Sequence, residues 1–110
     1  MILKYKLPMK VSANAIYAGM FWRKRKKIKD TYGLIKFETI DPSPFTYPVT
    51  LAFRFALKRK IDVSNLSYMA KMIEDLLVSR GILEGDSPKY VFCVVLTQTS
   101  GKDECKIFIS

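Results

Sequence analysis

The chain carries at residues 49–81 the stretch VTLAFRFALKRKIDVSNLSYMAKMIEDLLVSRG, in which two different hydrophobic periods follow one another. Apolar side chains alternate with period two from Val49 to Leu57, which is typical of a half-buried strand. From Leu66 to Leu77 they recur at i, i+3, i+4 and i+7, which predicts an amphipathic helix that ends at Gly81. A strand followed by a helix with a long apolar face indicates an α+β domain, because each element must cover the other.

The flanking segments extend this prediction in both directions. They are a strand at residues 2–7, a turn-rich segment at 11–19, a basic helix at 20–34, a proline-bearing loop at 38–48 and a final hairpin formed by 89–97 and 104–109. The predicted order is therefore β-α-β-α-β-β, with one small mixed sheet and two main helices in a single domain over residues 1–110.

The two cysteines are predicted to be free thiols. In a hairpin that turns at Ser100-Gly101, Cys93 falls opposite Phe108 and Cys105 opposite Leu96, so the thiols do not face each other. Buried thiols in a reducing compartment are the expectation. Two cysteines with no histidine also make no zinc site.

Composition excludes several function classes. No apolar run approaches the roughly 20 residues that cross a bilayer, and the lysine-interrupted start MILKYKLPMK has no signal-peptide core. These features predict a cytoplasmic protein without a membrane partner. The chain has no histidine, which excludes Ser-His-Asp and Cys-His hydrolases and any imidazole general base. Hydrolytic chemistry would have to come from carboxylates, lysine or a bound metal ion.

Positive charge is concentrated in two clusters. The chain has 19 Lys and Arg against 10 Asp and Glu, a net charge of +9. The first basic cluster consists of Arg23, Lys24, Arg25, Lys26, Lys27 and Lys29, and the second of Lys58, Arg59 and Lys60. Without these residues the remaining bases and acids balance. Charge concentrated in this way predicts contact with the phosphates of nucleic acid. A solvated helix face and an anionic membrane remain as alternatives, although the first cluster lacks the apolar face of a membrane-surface helix.

Two aspartates flank the predicted helix. Asp62 precedes it, and Asp86 follows it after a loop. The helix from Leu66 to Ser79 is roughly 20 Å long, and an extended chain from Arg80 to Asp86 covers roughly 23 Å. The loop can therefore return along the helix and bring the two carboxylates to one hard cation.

Lys71 and its neighbours allow two interpretations. Lys71 lies about 140° around the helix from Leu66, off the apolar stripe, where it can approach a phosphate. It can equally form an ordinary surface pair with Asp75, four residues further on. In the same way, Asp62 or Asn65 can be a helix N-cap, and Asp86 a turn residue.

The segment from Asp62 to Val91 resembles the signature of the RusA family of Holliday junction resolvases. That signature has an Asp-x-Asp-Asn segment, a Lys and an Asp on the following helix, and then a Gly and an Asp-Asp pair before a strand. The earlier segment Ser12-Ala-Asn14-Ala-Ile-Tyr17-Ala-Gly19, followed by Phe21-Trp22 and the first basic cluster, is similar to phage-type members. The matches touch about half of the chain, in the order of the family.

The resemblance implies a RusA-like fold and a function. The implied activity is that of a crossover junction endodeoxyribonuclease, dependent on Mg²⁺ or Mn²⁺, which acts as a homodimer on branched DNA in recombination and repair, in a phage or prophage setting. Carried over by position, the metal ligands are Asp62, Ser64 and Asp86, and Lys71 assists catalysis. Asn14, Asn65 and Asp75 are the supporting residues of the resemblance.

Two positions depart from the family pattern. Ser64 stands where the family has the second aspartate of Asp-x-Asp, and Gly85 stands where it has the first residue of the Asp-Asp pair. A serine hydroxyl or its bound water can occupy a magnesium ligand position, but it lacks the charge and weakens binding. An alternative therefore stays open: a catalytically impaired relative that only binds branched DNA, or one that acts as a regulatory interaction protein.

Overall fold

The computed structural model describes all residues from Met1 to Ser110 and shows an α+β fold, as predicted. The strands are β1 (Ile2–Lys6), β2 (Phe37–Asp41), β3 (Val49–Leu57), β4 (Val91–Ser100) and β5 (Glu104–Ile109). The helices are α1 (Ala13–Tyr17), α2 (Trp22–Tyr32) and α3 (Ser67–Ser79), and a 3-10 turn (Val63–Leu66) leads into α3. The predicted order of the main elements is confirmed, with α1 and β2 as additions.

One face of the sheet forms the core with the helices. The period-two apolar residues of β3 are all buried. The residues of the helical period are buried as well, except Leu76, which is half-buried. The hydroxyl groups of two buried tyrosines in this core are both hydrogen-bonded. The Tyr5 hydroxyl donates to the Tyr32 carbonyl and the Tyr32 hydroxyl to the Met9 carbonyl, each at 2.6 Å. Burial raises the pKa of both phenols, so they stay neutral donors.

The sheet has the order β2-β1-β5-β3-β4, and this order shows that the predicted terminal hairpin is wrong. β4 pairs with β3 in parallel, and β5 pairs with β3 on its other side, antiparallel. The helical connection between β3 and β4 explains the parallel pair, since a crossover of that length is what parallel neighbours need. β3 consequently has a paired strand on each side, which helps to account for its complete burial on one face.

Ser100 and Gly101 lie where the chain passes the end of β3, and they do not form a hairpin turn. The Gly101 N–H donates to the Leu57 carbonyl at 3.0 Å and the Asp103 N–H to the Ala56 carbonyl at 2.8 Å. A Cβ on Gly101 would stand 2.4 Å from the Cβ of Ala56. Glycine is required here because two backbones approach each other, and not because two strands turn into a hairpin.

The new strand order also changes the account of the cysteines. Cys93 is aligned with Thr50, whereas Cys105 is aligned with Phe55 and Tyr5, so β3 lies between the two thiols. Two strand spacings exceed the reach of a disulfide. Both cysteines are free, Cys105 buried and Cys93 half-buried. The prediction of free thiols is confirmed, but the facing pairs Cys93–Phe108 and Cys105–Leu96 are wrong.

Two segments are more ordered than the sequence indicated. In the predicted turn segment, the Ser12 hydroxyl accepts a hydrogen bond from the Asn14 N–H at 3.2 Å and caps α1. In the predicted loop, residues 38–41 belong to β2, which pairs with the edge of β1. None of the helices has the length and apolar character of a membrane span.

Candidate functional site

The segment that joins β3 to α3 is fixed at the ends of β3 and β4. The Lys58 N–H donates to the Asp103 carboxylate at 2.9 Å. The Ile61 N–H donates to the Gln98 side-chain oxygen at 3.2 Å, and the Gln98 amide donates back to the Ile61 carbonyl. These bonds hold the second basic cluster and Asp62 outside the carboxyl ends of two parallel strands, a common place for binding sites in α/β sheets.

Asp62 occupies the N-cap position of the 3-10 turn without acting as a side-chain cap. Its carbonyl accepts from the Asn65 N–H at 2.8 Å, while its carboxylate is exposed and forms neither a capping bond nor an ion pair. Ser64 is exposed in the same turn, and Asn65 is half-buried. Helix α1, which carries the exposed Asn14, packs against this turn. The Asp62 carboxylate is therefore available to a ligand.

Asp86 returns along α3 as far as Lys71, while its predicted convergence with Asp62 stays a prediction. Its carboxylate lies 2.7 Å from the ammonium nitrogen of Lys71. Two tyrosines anchor the loop: the Tyr47 hydroxyl accepts from the Glu84 N–H at 3.0 Å, and the rings of Tyr47 and Tyr90 pack edge to face at 5.1 Å. Asp86 is thus held in place by the loop, although its own side chain is partly exposed.

Lys71 is the centre of a cluster of three carboxylates. Besides Asp86, its ammonium group contacts Asp75 at 3.2 Å and Glu74 at 3.3 Å. The alternative of a surface pair between Lys71 and Asp75 is therefore confirmed. Sequence reasoning missed Glu74, whose side chain is only 11 % exposed. The available signal was its place on the apolar stripe, four residues after Ala70 and three before Leu77.

Two carboxyl groups of this cluster have pKa values shifted in opposite directions. The hydrogen bond from Lys71 lowers the pKa of Asp86, so this group stays ionised at neutral pH. Burial raises the pKa of Glu74, and the Lys71 ammonium only partly offsets that effect. The pKa of Lys71 is itself raised, mainly by its bond to Asp86. With all three acids ionised, the cluster is net negative despite the lysine.

Gly85 has a steric reason to be glycine. A Cβ at this position would stand 2.7 Å from the Tyr90 ring, closer than real side chains pack. The aspartate that the family resemblance would place here therefore cannot be accommodated unless Tyr90 moves. Gly85 therefore leaves the space that the Tyr90 ring occupies, and that ring helps to anchor the loop that carries Asp86.

The predicted metal ligands differ in how far the structure brings them together. Asp62 and Ser64 share one turn, while Asp86 lies beside Lys71 on α3. No group of three or more acidic or cysteine side chains is arranged to hold a metal ion. Carboxylate and hydroxyl oxygens are nevertheless the donors that Mg²⁺ takes, and it often binds to one or two carboxylates completed by substrate phosphates. By donor type, Asp62, Ser64 and Asp86 match a metal of that kind, although Asp86 is paired with Lys71.

The first basic cluster lies on a projecting part of α2. Residues 22–27 are exposed without interruption, and α2 buries only Ile28 and Tyr32. Within the cluster only Lys26 has an acidic partner, Asp30 at 3.1 Å. The other cations are available to an external anion.

Comparisons with protein-family models, with curated proteins and with solved structures found no match to this chain.

Proposed function

We propose that this protein binds branched DNA and cleaves it as a RusA-like junction endonuclease that depends on Mg²⁺ or Mn²⁺. The observation that carries the proposal is the position of Asp62. Its free carboxylate directly follows the second basic cluster, at the start of the helix along which Asp86 and Lys71 lie. The proposal includes a homodimer, which suits paired incisions across a four-way junction, and a cytoplasmic location.

The exposed cations support binding to the DNA backbone. The side chains of Lys58, Arg59 and Lys60 are exposed and form no ion pairs, while the backbone around them is fixed by Asp103 and Gln98. Cations on a fixed segment contact phosphates without first losing a protein partner. Contacts of this type position DNA and do not read its sequence.

The carboxylates support a role for a divalent cation. The group around Lys71 is net negative when its acids are ionised, so it attracts a cation and repels an unaccompanied phosphate. Asp62, Ser64 and Asp86 would hold the ion, and a bound ion supplies Lewis-acid activation of the phosphate and of water. Lys71, whose ammonium stays charged at neutral pH, would stabilise negative charge that develops on the phosphate.

A second candidate function is binding of branched DNA without cleavage. Two observations favour it: Lys71 already neutralises Asp86 at 2.7 Å, and Ser64 provides no charge. In that case Lys71 takes the place of the metal ion at Asp86, and the fold serves as a DNA-binding module.

Cleavage of a labelled synthetic four-way junction, with Mg²⁺ and with Mn²⁺, separates these functions. We expect Asp62→Asn and Asp86→Asn each to abolish cleavage and to leave junction binding intact or stronger, because each removes a negative charge near phosphate. Glu38→Gln, which removes one exposed charge on β2, is the matched control. Cleavage by the double variant would place the active site elsewhere. Binding without cleavage by the unmodified protein selects the second candidate, and absence of junction binding rejects both.

A further inference from the structure

Two exposed aromatic side chains stand at the start of the first basic cluster. Phe21 is 64 % exposed and Trp22 is 57 % exposed. Their ring centroids lie 6.3 Å apart with an interplanar angle of 30°, so the two rings form one nearly continuous apolar surface. The guanidinium carbon of Arg23 lies 5.4 Å from the centre of the Trp22 ring. This aromatic pair therefore belongs to the same surface as the cations.

The helix around the aromatic pair does not use it for packing. The first buried residue of α2 is Ile28, more than one turn beyond Trp22. Neither ring belongs to the apolar core or packs against its margin. Two large apolar rings that stay in water and take no part in the core have no structural role in this fold.

We propose that Phe21 and Trp22 form a stacking platform for an unpaired DNA base, and this inference rests on the proposed function. Planar bases stack on exposed aromatic rings in single-strand binding sites, where a neighbouring positive groove follows the backbone. Here the rings supply the stacking surface, and Arg23, Lys24 and Arg25 supply the adjacent phosphate contacts. At the branch point of an open junction, base pairs lack a stacking neighbour on one side, so their bases are more easily exposed than those inside an intact duplex. The platform would thus favour branched over linear DNA.

The positive charge around the aromatic pair favours DNA over an apolar protein partner or a lipid surface. The first turn of α2 has no acidic residue, and Arg23, Lys24 and Arg25 form no ion pair. An apolar protein partner would have to bury these charges, which is costly. An anionic lipid surface would satisfy the same charges, but the cluster has no apolar helix face with which to enter the bilayer.

The fluorescence of the single tryptophan reports on this proposal directly. We expect single-stranded oligonucleotide and four-way junction to quench the emission of Trp22, and blunt duplex to bind with little quenching. Trp22→Ala is expected to weaken single-strand and junction binding roughly five- to hundred-fold, with duplex affinity nearly unchanged. Trp22→Phe keeps an aromatic face and is expected to retain most of the affinity. Phe92→Ala, which removes a still more exposed ring from β4, is the control and is expected to change nothing.

The possible outcomes separate the platform from the proposed function. Tight DNA binding without quenching, or an equal loss of duplex and single-strand affinity in Trp22→Ala, overturns the platform and leaves the DNA-binding function standing. No DNA binding by the unmodified protein overturns the proposed function, and the platform with it. A blue shift of the emission with phosphatidylserine vesicles, and none of the quenching by DNA, identifies a membrane contact and rejects the platform.

Discussion

Replacing the second basic cluster with glutamine tests the proposed binding of DNA. The variant Lys58→Gln, Arg59→Gln, Lys60→Gln removes three exposed cations that form no ion pairs. The interactions that fix this segment are made by backbone groups: the Lys58 N–H donates to Asp103, and the Arg59 carbonyl accepts from Lys10 at 3.2 Å. The fold should therefore survive the change, and any loss of affinity belongs to the side chains.

The size of the effect follows from counterion release. Each phosphate contact contributes about 0.9 to the slope of log affinity against log salt concentration. At 0.1 M salt each contact then contributes a factor of about 8 in affinity, and three contacts a factor of about 500. We expect the DNA affinity of the variant to fall by a factor between about 8 and about 500, and the salt slope to decrease by about 0.9 to 2.7. Both changes should be the same for every DNA sequence.

Fluorescence anisotropy with a labelled junction at several salt concentrations measures both quantities. A second variant, Lys36→Gln, Lys102→Gln, Lys106→Gln, makes the same change in net charge at exposed lysines outside the cluster. It should affect the slope much less. The reasoning is refuted if the two variants behave alike, because net charge alone would then explain binding, or if the affinity of the unmodified protein does not depend on salt.

Three further predictions concern the site and the core. Ser64→Asp supplies an anionic group at the proposed ligand position and should raise cleavage and lower the metal concentration it requires, in a metal titration. Stability should hardly change, because Ser64 is exposed and is not the N-cap of its turn. Glu74→Gln removes a carboxyl whose pKa is raised by burial. Because the native state holds that proton more tightly than the unfolded chain, the wild-type free energy of unfolding falls as pH rises above 4.5, the ordinary value, through the raised pKa. In urea denaturation across this pH range, the free energy of unfolding of the variant should rise relative to that of the wild type. A difference that does not change with pH contradicts the raised pKa of Glu74. Phe53→Ala, at a position 1 % exposed and stacked on Phe55, should cost about 3–5 kcal/mol in the same assay.

The sequence predicted the elements whose signals are local. The alternation in β3 and the helical period of α3 each reside within one segment. Burial matches the alternation in β3 at every position and the helical period of α3 at most positions. The return of Asp86 along α3 was predictable because it depends only on the length of a loop.

The pairing of the last two strands could not be predicted in the same way. A glycine at position 101 is compatible both with a hairpin turn and with a close approach to another strand. Only the contact with Ala56 distinguishes the two. The burial of Glu74 was hidden for a related reason: a charged residue on an apolar stripe is ordinarily placed at its margin, and here Lys71 supplies the partner that lets it remain inside.

Incubation of the unmodified protein with a four-way junction and with a duplex of the same sequence, with and without metal, is the most direct test of the proposed function. The account predicts a retained complex with the junction in the absence of metal. With Mg²⁺ or Mn²⁺ it predicts paired nicks placed symmetrically about the branch point and none in the duplex. Equal binding of junction and duplex, with neither cut in either metal, would contradict it.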